Sequence, residues 1–125
     1  AKAHGGSIEA GSLDEAADRI SEATVLCNAT SVGMQTKETP IYKNALHSAL
    51  TVLDAVYAPR FTRLIQDAKS AGAQIVTGDR MLLQQGMIAF ECWTGGKAPK
   101  TAMENALENA FSTMESNGQN GPVNT

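Results

Sequence analysis

The sequence predicts an α/β fold built on a parallel sheet, and two observations lead to that prediction. Three short apolar segments, at residues 24–27, 51–53 and 74–76, have the length and composition of buried strands. Segments with helical spacing of apolar residues lie between them, at roughly 25-residue intervals. Right-handed crossovers place the C-terminal ends of parallel strands on one edge of a sheet. We therefore expect all three strand ends to converge at the edge where such sheets bind ligands.

Capping residues and apolar spacing predict the helices of the first half. Ser12 and Glu15 form a capping-box pattern at the start of a helix over residues 13–21. A weaker helical pattern covers residues 42–50. Thr62 opens a helix over residues 62–71, and Gly72 stands at the C′ position that ends it. Residues 7–9 are a candidate short strand.

Two longer helices are predicted for the second half. Asp79 is a candidate cap for a helix that reaches about residue 93, and the glycines at 95 and 96 end it. After Pro99 the pair Thr101 and Glu104 can form a second capping box. The apolar stripe of this last helix is Met103, Ala106, Leu107, Ala110, Phe111 and Met114. Residues 116–125 are rich in Ser, Asn and Gly and are predicted to be a disordered tail.

Composition excludes several classes of function. The 125 residues are 42% hydrophobic and only 5% aromatic, with a net charge of −3, so neither nucleic acid nor a membrane is an expected partner. Cys27 and Cys92 lie in apolar segments, which favours buried free thiols over a disulfide or a metal pair. No metal site is predicted. A soluble protein of a reducing compartment such as the cytoplasm fits this cysteine usage.

Motifs at the predicted strand ends carry a family resemblance. They are NATSVGM at residues 28–34, DAVYAP at 54–59 with Thr62 and Leu64 after it, GDRMLLQQG at 78–86, and WTG at 93–95. Their order and spacing resemble the C-terminal part of shikimate dehydrogenases. The resemblance implies a Rossmann-like sheet that is the second half of a doubly wound domain. Residues 1–100 would form this part of the NADP-binding domain, and residues 101–115 a helix that returns to the substrate domain.

The resemblance also implies an activity, a cofactor and contact residues. The family reduces 3-dehydroshikimate to shikimate with NADPH, in aromatic amino-acid biosynthesis. The implied cofactor contacts are Asn28, Thr30, Ser31, Gly33, Met34, Gly78 and Met81, and the implied substrate contacts are Tyr57 and Gln85.

Gln85 is the most informative of these residues. It falls within the predicted buried stripe of its helix, where a carboxamide needs hydrogen-bonding partners that a polyhydroxylated ring would supply. That stripe consists of Met81, Leu82, Ile88, Ala89 and Cys92.

Each contact residue also has a plainer structural interpretation. The loop from Asn28 to Met34 can be an ordinary turn that bonds its own backbone. Tyr57 can be an edge tyrosine with an exposed hydroxyl. Gly78 and Met81 can serve helix-start geometry and core packing, and Gln85 can be satisfied by a backbone group or by its neighbour Gln84.

Some family features do not stand in this sequence. There is no glycine-rich phosphate loop, no segment for the 2′-phosphate of NADP, and no match to the motifs that hold the catalytic Lys and Asp. No catalytic residue is therefore assigned, and we expect the 125 residues alone to have no useful turnover. The acidic Asp79 at a helix start also disfavours phosphate binding there.

Two other functions remain open. Quinate dehydrogenase uses a substrate with one more ring hydroxyl. A non-catalytic module would instead bind a partner through the open sheet edge beside residues 24–27. The implied partners are shikimate or 3-dehydroshikimate, a missing N-terminal half in the same or a separate chain, and a second copy in a homodimer.

Overall fold

Residues 7–118 are described by the computed structural model, and they form a three-stranded parallel sheet with flanking helices. The strands β1 (Val25–Asn28), β2 (Thr51–Asp54) and β3 (Gln74–Val76) lie in that order across the sheet. Their register pairs Cys27 with Leu53 and Leu53 with Val76. The predicted α/β architecture and all three predicted strands are confirmed. Residues 7–9 form no strand, in contrast to the expectation.

Four helices accompany the sheet within residues 7–118. They are α1 (Leu13–Ile20), α2 (Arg63–Ser70), α3 (Gly78–Thr94) and α4 (Lys100–Gly118). The predicted capping box of α1 is formed, because the Ser12 and Glu15 side chains each accept a hydrogen bond from the other residue's backbone N–H. Gly72 follows the end of α2 with a φ of 78°, a conformation that glycine adopts without strain. None of these described helices is long and apolar enough to cross a bilayer.

The predicted helix over residues 42–50 is wrong. Only a 3₁₀ turn, Lys43–Ala45, forms there, and the chain becomes extended at Leu46 with φ −85° and ψ 142°. Leu46 and Leu50 are nevertheless buried in the core, as the pattern predicted. Two apolar residues four positions apart can therefore both be buried without a helix. An irregular segment can also direct two of its side chains into the core.

Two predicted helix caps differ from the structure. Thr77 occupies the N-cap position of α3, so Asp79 lies inside the first turn, where its carboxylate is buried. In the last helix, α4 already begins at Lys100, so Thr101 lies within it and cannot act as its N-cap. This helix continues to Gly118, beyond its expected end at residue 115. The expected disordered tail falls otherwise on residues 119–125, which lie outside the described residues.

The hydrophobic core lies on one face of the sheet. Val52 of β2, Ile20 of α1 and three residues of α2 form its centre, with residues of the 40–50 segment completing the cluster. The cluster consists of Ile20, Ile41, Leu46, Leu50, Val52, Leu64, Ile65 and Ala68. The helices α3 and α4 pack mainly against each other.

The prediction of buried thiols is wrong, because both Cys27 and Cys92 are exposed. Cys27 lies on the edge strand β1, and strand alternation turns its side chain to the face opposite the core. Val25 shares that face and is 59% exposed. Cys92 lies near the end of α3.

Candidate functional site

The loop that follows β1 is organised by the side chain of Asn28. Its Nδ2 donates to Asp54 Oδ1 at 2.9 Å and to the carbonyl of Val32 at 3.4 Å. Its Oδ1 accepts from the backbone N–H of Thr30 at 3.1 Å and from the Thr30 hydroxyl at 2.7 Å. Asn28 is buried and all of these atoms bond within the chain. Asn28 therefore holds the loop in its conformation from the interior of the protein. Contact with a ligand is left to the exposed residues of the loop.

Asp54 joins this loop to the next strand end. Its Oδ1 also accepts from the backbone N–H of Val56 at 3.0 Å, and its Oδ2 accepts from the Thr62 hydroxyl at 2.6 Å. Thr62 in turn caps α2 by accepting from the Ile65 N–H at 3.3 Å. Because Asp54 is fully buried, these hydrogen bonds fix the ends of β1 and β2 together.

Gly33 closes the first loop. Its φ is 94°, in the left-handed region, and its Cα faces the Thr62 side chain, which a Cβ would meet at 3.5 Å. It is buried, so in this structure glycine serves the turn and its packing on Thr62. Ser31 is exposed, and its hydroxyl bonds to no other side chain or backbone group in the described range 7–118. The Ser31 hydroxyl is therefore available to a ligand.

Gly78 brings the start of α3 against the loop after β2. A Cβ at this position would lie 2.5 Å from the carbonyl oxygen of Val56 and 2.7 Å from that of Ala55. Real Cβ atoms do not approach backbone so closely, so only glycine permits this contact. The third strand end is thereby held beside the second, and the predicted convergence of the strand ends is observed.

Several large apolar side chains remain exposed in these segments, among them Met34, Tyr57 and Met81. Met34 is 46%, Tyr57 43% and Met81 41% exposed. They belong to the loop after β1, the loop after β2 and the first turn of α3. Exposed methionine and aromatic side chains beside hydroxyl groups fit a flat ring with an attached sugar, such as the nicotinamide side of a dinucleotide. Among residues 7–118 no three metal-ligating side chains cluster.

Gln85 does not lie in a buried stripe, contrary to the expectation. Its side chain is exposed, and its Nε2 donates to the carbonyl of Leu82 in its own helix at 3.0 Å. Met81 and Ile88 of the same predicted stripe are exposed as well, because α3 turns Leu83 inward instead. Gln85 is the one polar residue lining a groove of about 370 Å³ between α3 and α4. The groove lining is Leu82, Leu83, Gln85, Met103, Ala106, Leu107 and Ala110.

Arg60 was not anticipated from the sequence as part of this region. It donates through two nitrogens to both carboxylate oxygens of Glu108, at 3.0 and 2.7 Å, and lies 2.8 Å from Asp79 Oδ2. The hydrogen bonds to Glu108 raise the pKa of Arg60 and lower that of Glu108 from their ordinary values. The charge of Asp79 also favours the charged form of Arg60. Arg60 and Glu108 are 48 positions apart, so no local pattern could have paired them.

A family model and named relatives match this chain. The model described as the shikimate 5′-dehydrogenase C-terminal domain matches residues 80–108. The shikimate dehydrogenase (NADP(+)) of Natronomonas pharaonis is 54% identical over 99 residues, which cover 79% of this chain and 38% of that protein. The chain thus spans little more than a third of the length of this relative.

Solved structures of dehydrogenases are also similar to this chain. Shikimate 5-dehydrogenase of Thermus thermophilus, in complex with NADP(H) and shikimate, is similar with a TM-score of 0.72 and 34% identity, over 82% of this chain and 38% of that one. Quinate dehydrogenase of Corynebacterium glutamicum, in complex with NAD, has a TM-score of 0.73 and 28% identity, over 78% of this chain and 35% of that one. These similarities confirm the predicted Rossmann-like fold.

Proposed function

Since the chain belongs to the shikimate dehydrogenase family, we propose that its protein interconverts 3-dehydroshikimate and shikimate with NADP(H). The observation that carries this proposal is the meeting of three contact segments at one edge of a parallel sheet. Asn28 and Asp54 join the first two segments, and the close approach of Gly78 to Val56 joins the second and third. The Thermus thermophilus relative with NADP(H) and shikimate bound supports the same assignment.

Some residues of this chain would contact the cofactor, and others would hold those residues in place. Residues 30–34 and the first turn of α3 would line the nicotinamide side, with Ser31, Met34 and Met81 exposed for contact. Asn28, Thr30, Gly33 and Gly78 would hold this wall in place through the hydrogen bonds and close packing described above. When bound, NADP supplies or accepts the hydride exchanged with a ring carbon of the substrate.

Tyr57 and Gln85 would position the substrate ring. The exposed Tyr57 hydroxyl and the exposed Gln85 carboxamide can each bond a ring hydroxyl or the carboxylate. Holding the ring carbon against the nicotinamide is a proximity and orientation effect. The glycine-rich loop and the catalytic Lys and Asp would come from a further half of the protein, on the same chain or a separate one. In this arrangement residues 1–100 complete the nucleotide domain and α4 returns toward the substrate domain.

The direct test follows absorbance at 340 nm while the whole protein is given shikimate and NADP. We expect NADP reduction that depends on shikimate and exceeds the rate with quinate. A faster rate with quinate would assign the quinate dehydrogenase activity instead, which the similarity to the Corynebacterium glutamicum enzyme makes the second candidate. No reduction with either substrate, in a folded protein, would contradict both.

A partner-binding module is the candidate from another class. The edge strand β1 pairs only with β2 in the described sheet, and its residues Val25 and Cys27 are exposed. An open edge of this kind can pair with another chain. Size-exclusion chromatography of the 125 residues distinguishes the cases: a dimer, or a complex with an N-terminal half, supports pairing, and a stable monomer counts against it.

A further inference from the structure

Arg60 lies where three segments of the chain meet. It follows β2 in the loop that carries Tyr57, and it contacts Asp79 in the first turn of α3 and Glu108 on α4. Its guanidinium carbon also lies 5.5 Å from the centre of the Phe111 ring, one turn along α4 from Glu108. Phe111 is buried, so both the charge and the flat face of Arg60 have partners on the last helix.

Asp79 depends on this arginine. Its side chain is 1% exposed, its Oδ2 is paired with Arg60, and its Oδ1 has no hydrogen-bonding partner within residues 7–118. Arg60 is thus the counter-charge of a buried carboxylate as well as the link to α4. A bidentate arginine fixes orientation in addition to distance, since its donors lie in one plane.

The residues on either side of this cluster are the proposed substrate contacts. Tyr57 precedes Arg60 by three positions in the loop after β2. Gln85 follows Asp79 on α3 and lines the groove against α4. The cofactor-side loop at residues 28–34 is held by other bonds, those of Asn28, Asp54 and Thr62.

We propose that Arg60 is a positioning residue for the substrate: by binding Asp79 on α3 and Glu108 on α4, it sets Tyr57 and Gln85 at the spacing that one substrate ring requires. This inference rests on the proposed function and adds to it a residue that touches neither substrate nor cofactor. The last helix is thereby assigned a part in substrate binding, although none of its residues is a proposed contact.

The test uses Glu108→Ala in the whole protein. This change removes the ion pair between Arg60 and α4, while the contact of Arg60 with Phe111 and the Arg60–Asp79 pair stay in place, so the buried carboxylate keeps its counter-charge. We expect the KM for shikimate to rise about tenfold, with the KM for NADP within about twofold of the wild-type value. Glu108→Gln retains one acceptor oxygen and should recover most of the lost affinity. Arg60→Lys keeps a charge beside Asp79 without the two-pronged contact, and should resemble Glu108→Ala.

Arg63→Gln is the matched control. Arg63 pairs with Asp67 within α2 at 2.8 Å and should leave both KM values unchanged when replaced. An unchanged KM for shikimate in a folded Glu108→Ala or Arg60→Lys protein would overturn the inference, as would an equal rise in both KM values. Failure of the wild-type protein to oxidise shikimate is a different result, because it would overturn the proposed function itself.

Discussion

The Nδ2 of Asn28 lies 2.9 Å from Oδ1 of Asp54, and this hydrogen bond connects the last residues of two neighbouring parallel strands. The pair occupies one rung of the β1–β2 register, so the same two residues are aligned by the backbone and bonded by their side chains. A carboxamide and a carboxylate at matched strand ends thus give the sheet edge a fixed shape beneath its surface loops.

Replacing Asp54 with alanine should lower the free energy of unfolding by about 3 kcal/mol. The change would leave the Asn28 amide, the Val56 N–H and the Thr62 hydroxyl without their buried acceptor. Urea unfolding followed by circular dichroism measures the loss. Asp18→Ala, on the exposed side of α1, is the control and should change stability by less than about 0.5 kcal/mol. Equal effects of the two substitutions would refute the prediction.

Gly78→Ala should destabilise the protein by about 2 kcal/mol, because the added methyl group would overlap the carbonyl oxygens of Val56 and Ala55. The start of α3 would have to move away from β2 to relieve this overlap. Gly96→Ala is the matched control, since its Cβ would have no atom nearer than Thr94 Oγ1 at 3.7 Å. Thermal melting of both variants compares them, and an unchanged melting temperature for Gly78→Ala would count against the close packing.

Gln85→Ala should separate stability from binding. The side chain is exposed and bonds only its own helix backbone, so the unfolding free energy should change by less than about 0.5 kcal/mol. If Gln85 holds the substrate, the KM for shikimate should rise about tenfold, which corresponds to the loss of roughly 1.4 kcal/mol of binding. The neighbouring Gln84 is also exposed, and Gln84→Ala should leave the KM unchanged. Similar kinetics in both variants would remove Gln85 from the site.

The Arg60–Glu108 link should weaken in acid. The hydrogen bonds from Arg60 lower the pKa of Glu108 in the folded protein. A lowered folded-state pKa contributes stability that is present above the unfolded-state pKa of about 4.3 and is lost as the pH falls through the folded value. The difference in melting temperature between wild type and Glu108→Gln should therefore shrink as the pH is lowered from about 5 to below the folded-state pKa of Glu108.

Glu22→Gln controls for the general effect of removing a carboxylate, because Glu22 is exposed in the turn that follows α1. Acid should reduce the difference in melting temperature between wild type and Glu108→Gln more than it reduces the difference between wild type and Glu22→Gln. A constant or growing advantage of wild type over Glu108→Gln over that acidic range would show that the ionised Glu108 does not stabilise the fold through Arg60.

Local sequence patterns predicted which segments form strands and helices better than they predicted which side chains are buried. The three strands were predictable because short β-branched runs between helical segments have few other solutions. The exposure of Cys27, and of the side of α3 that carries Met81 and Gln85, was not predictable, since hydropathy reports a residue's preference and cannot say which face a neighbour covers. Leu46 and Leu50 show the converse, because both are buried although the helix inferred from their spacing is absent.

The site shows the same division. The edge where the strand ends meet follows from parallel topology, and it was predictable from the order of strands and helices. The placement of Arg60 required two partners far along the chain, Asp79 and Glu108, which only the tertiary structure brings together. The burial of Asn28 likewise depends on its hydrogen bond to Asp54. No local motif shows that the strands ending in these two residues are neighbours.

The nine positions from Asp54 to Thr62 serve two bonding systems at once, with Asp54 and Thr62 holding the loop after β1 and Arg60 reaching both α3 and α4. Changes of length in this segment should therefore be far less tolerable than changes of sequence. A single inserted or deleted residue would move Arg60 or Thr62 out of register, and both systems would fail together. Residues 35–38 are exposed and belong to neither bonding system, so a tag or an inserted loop should be tolerated there.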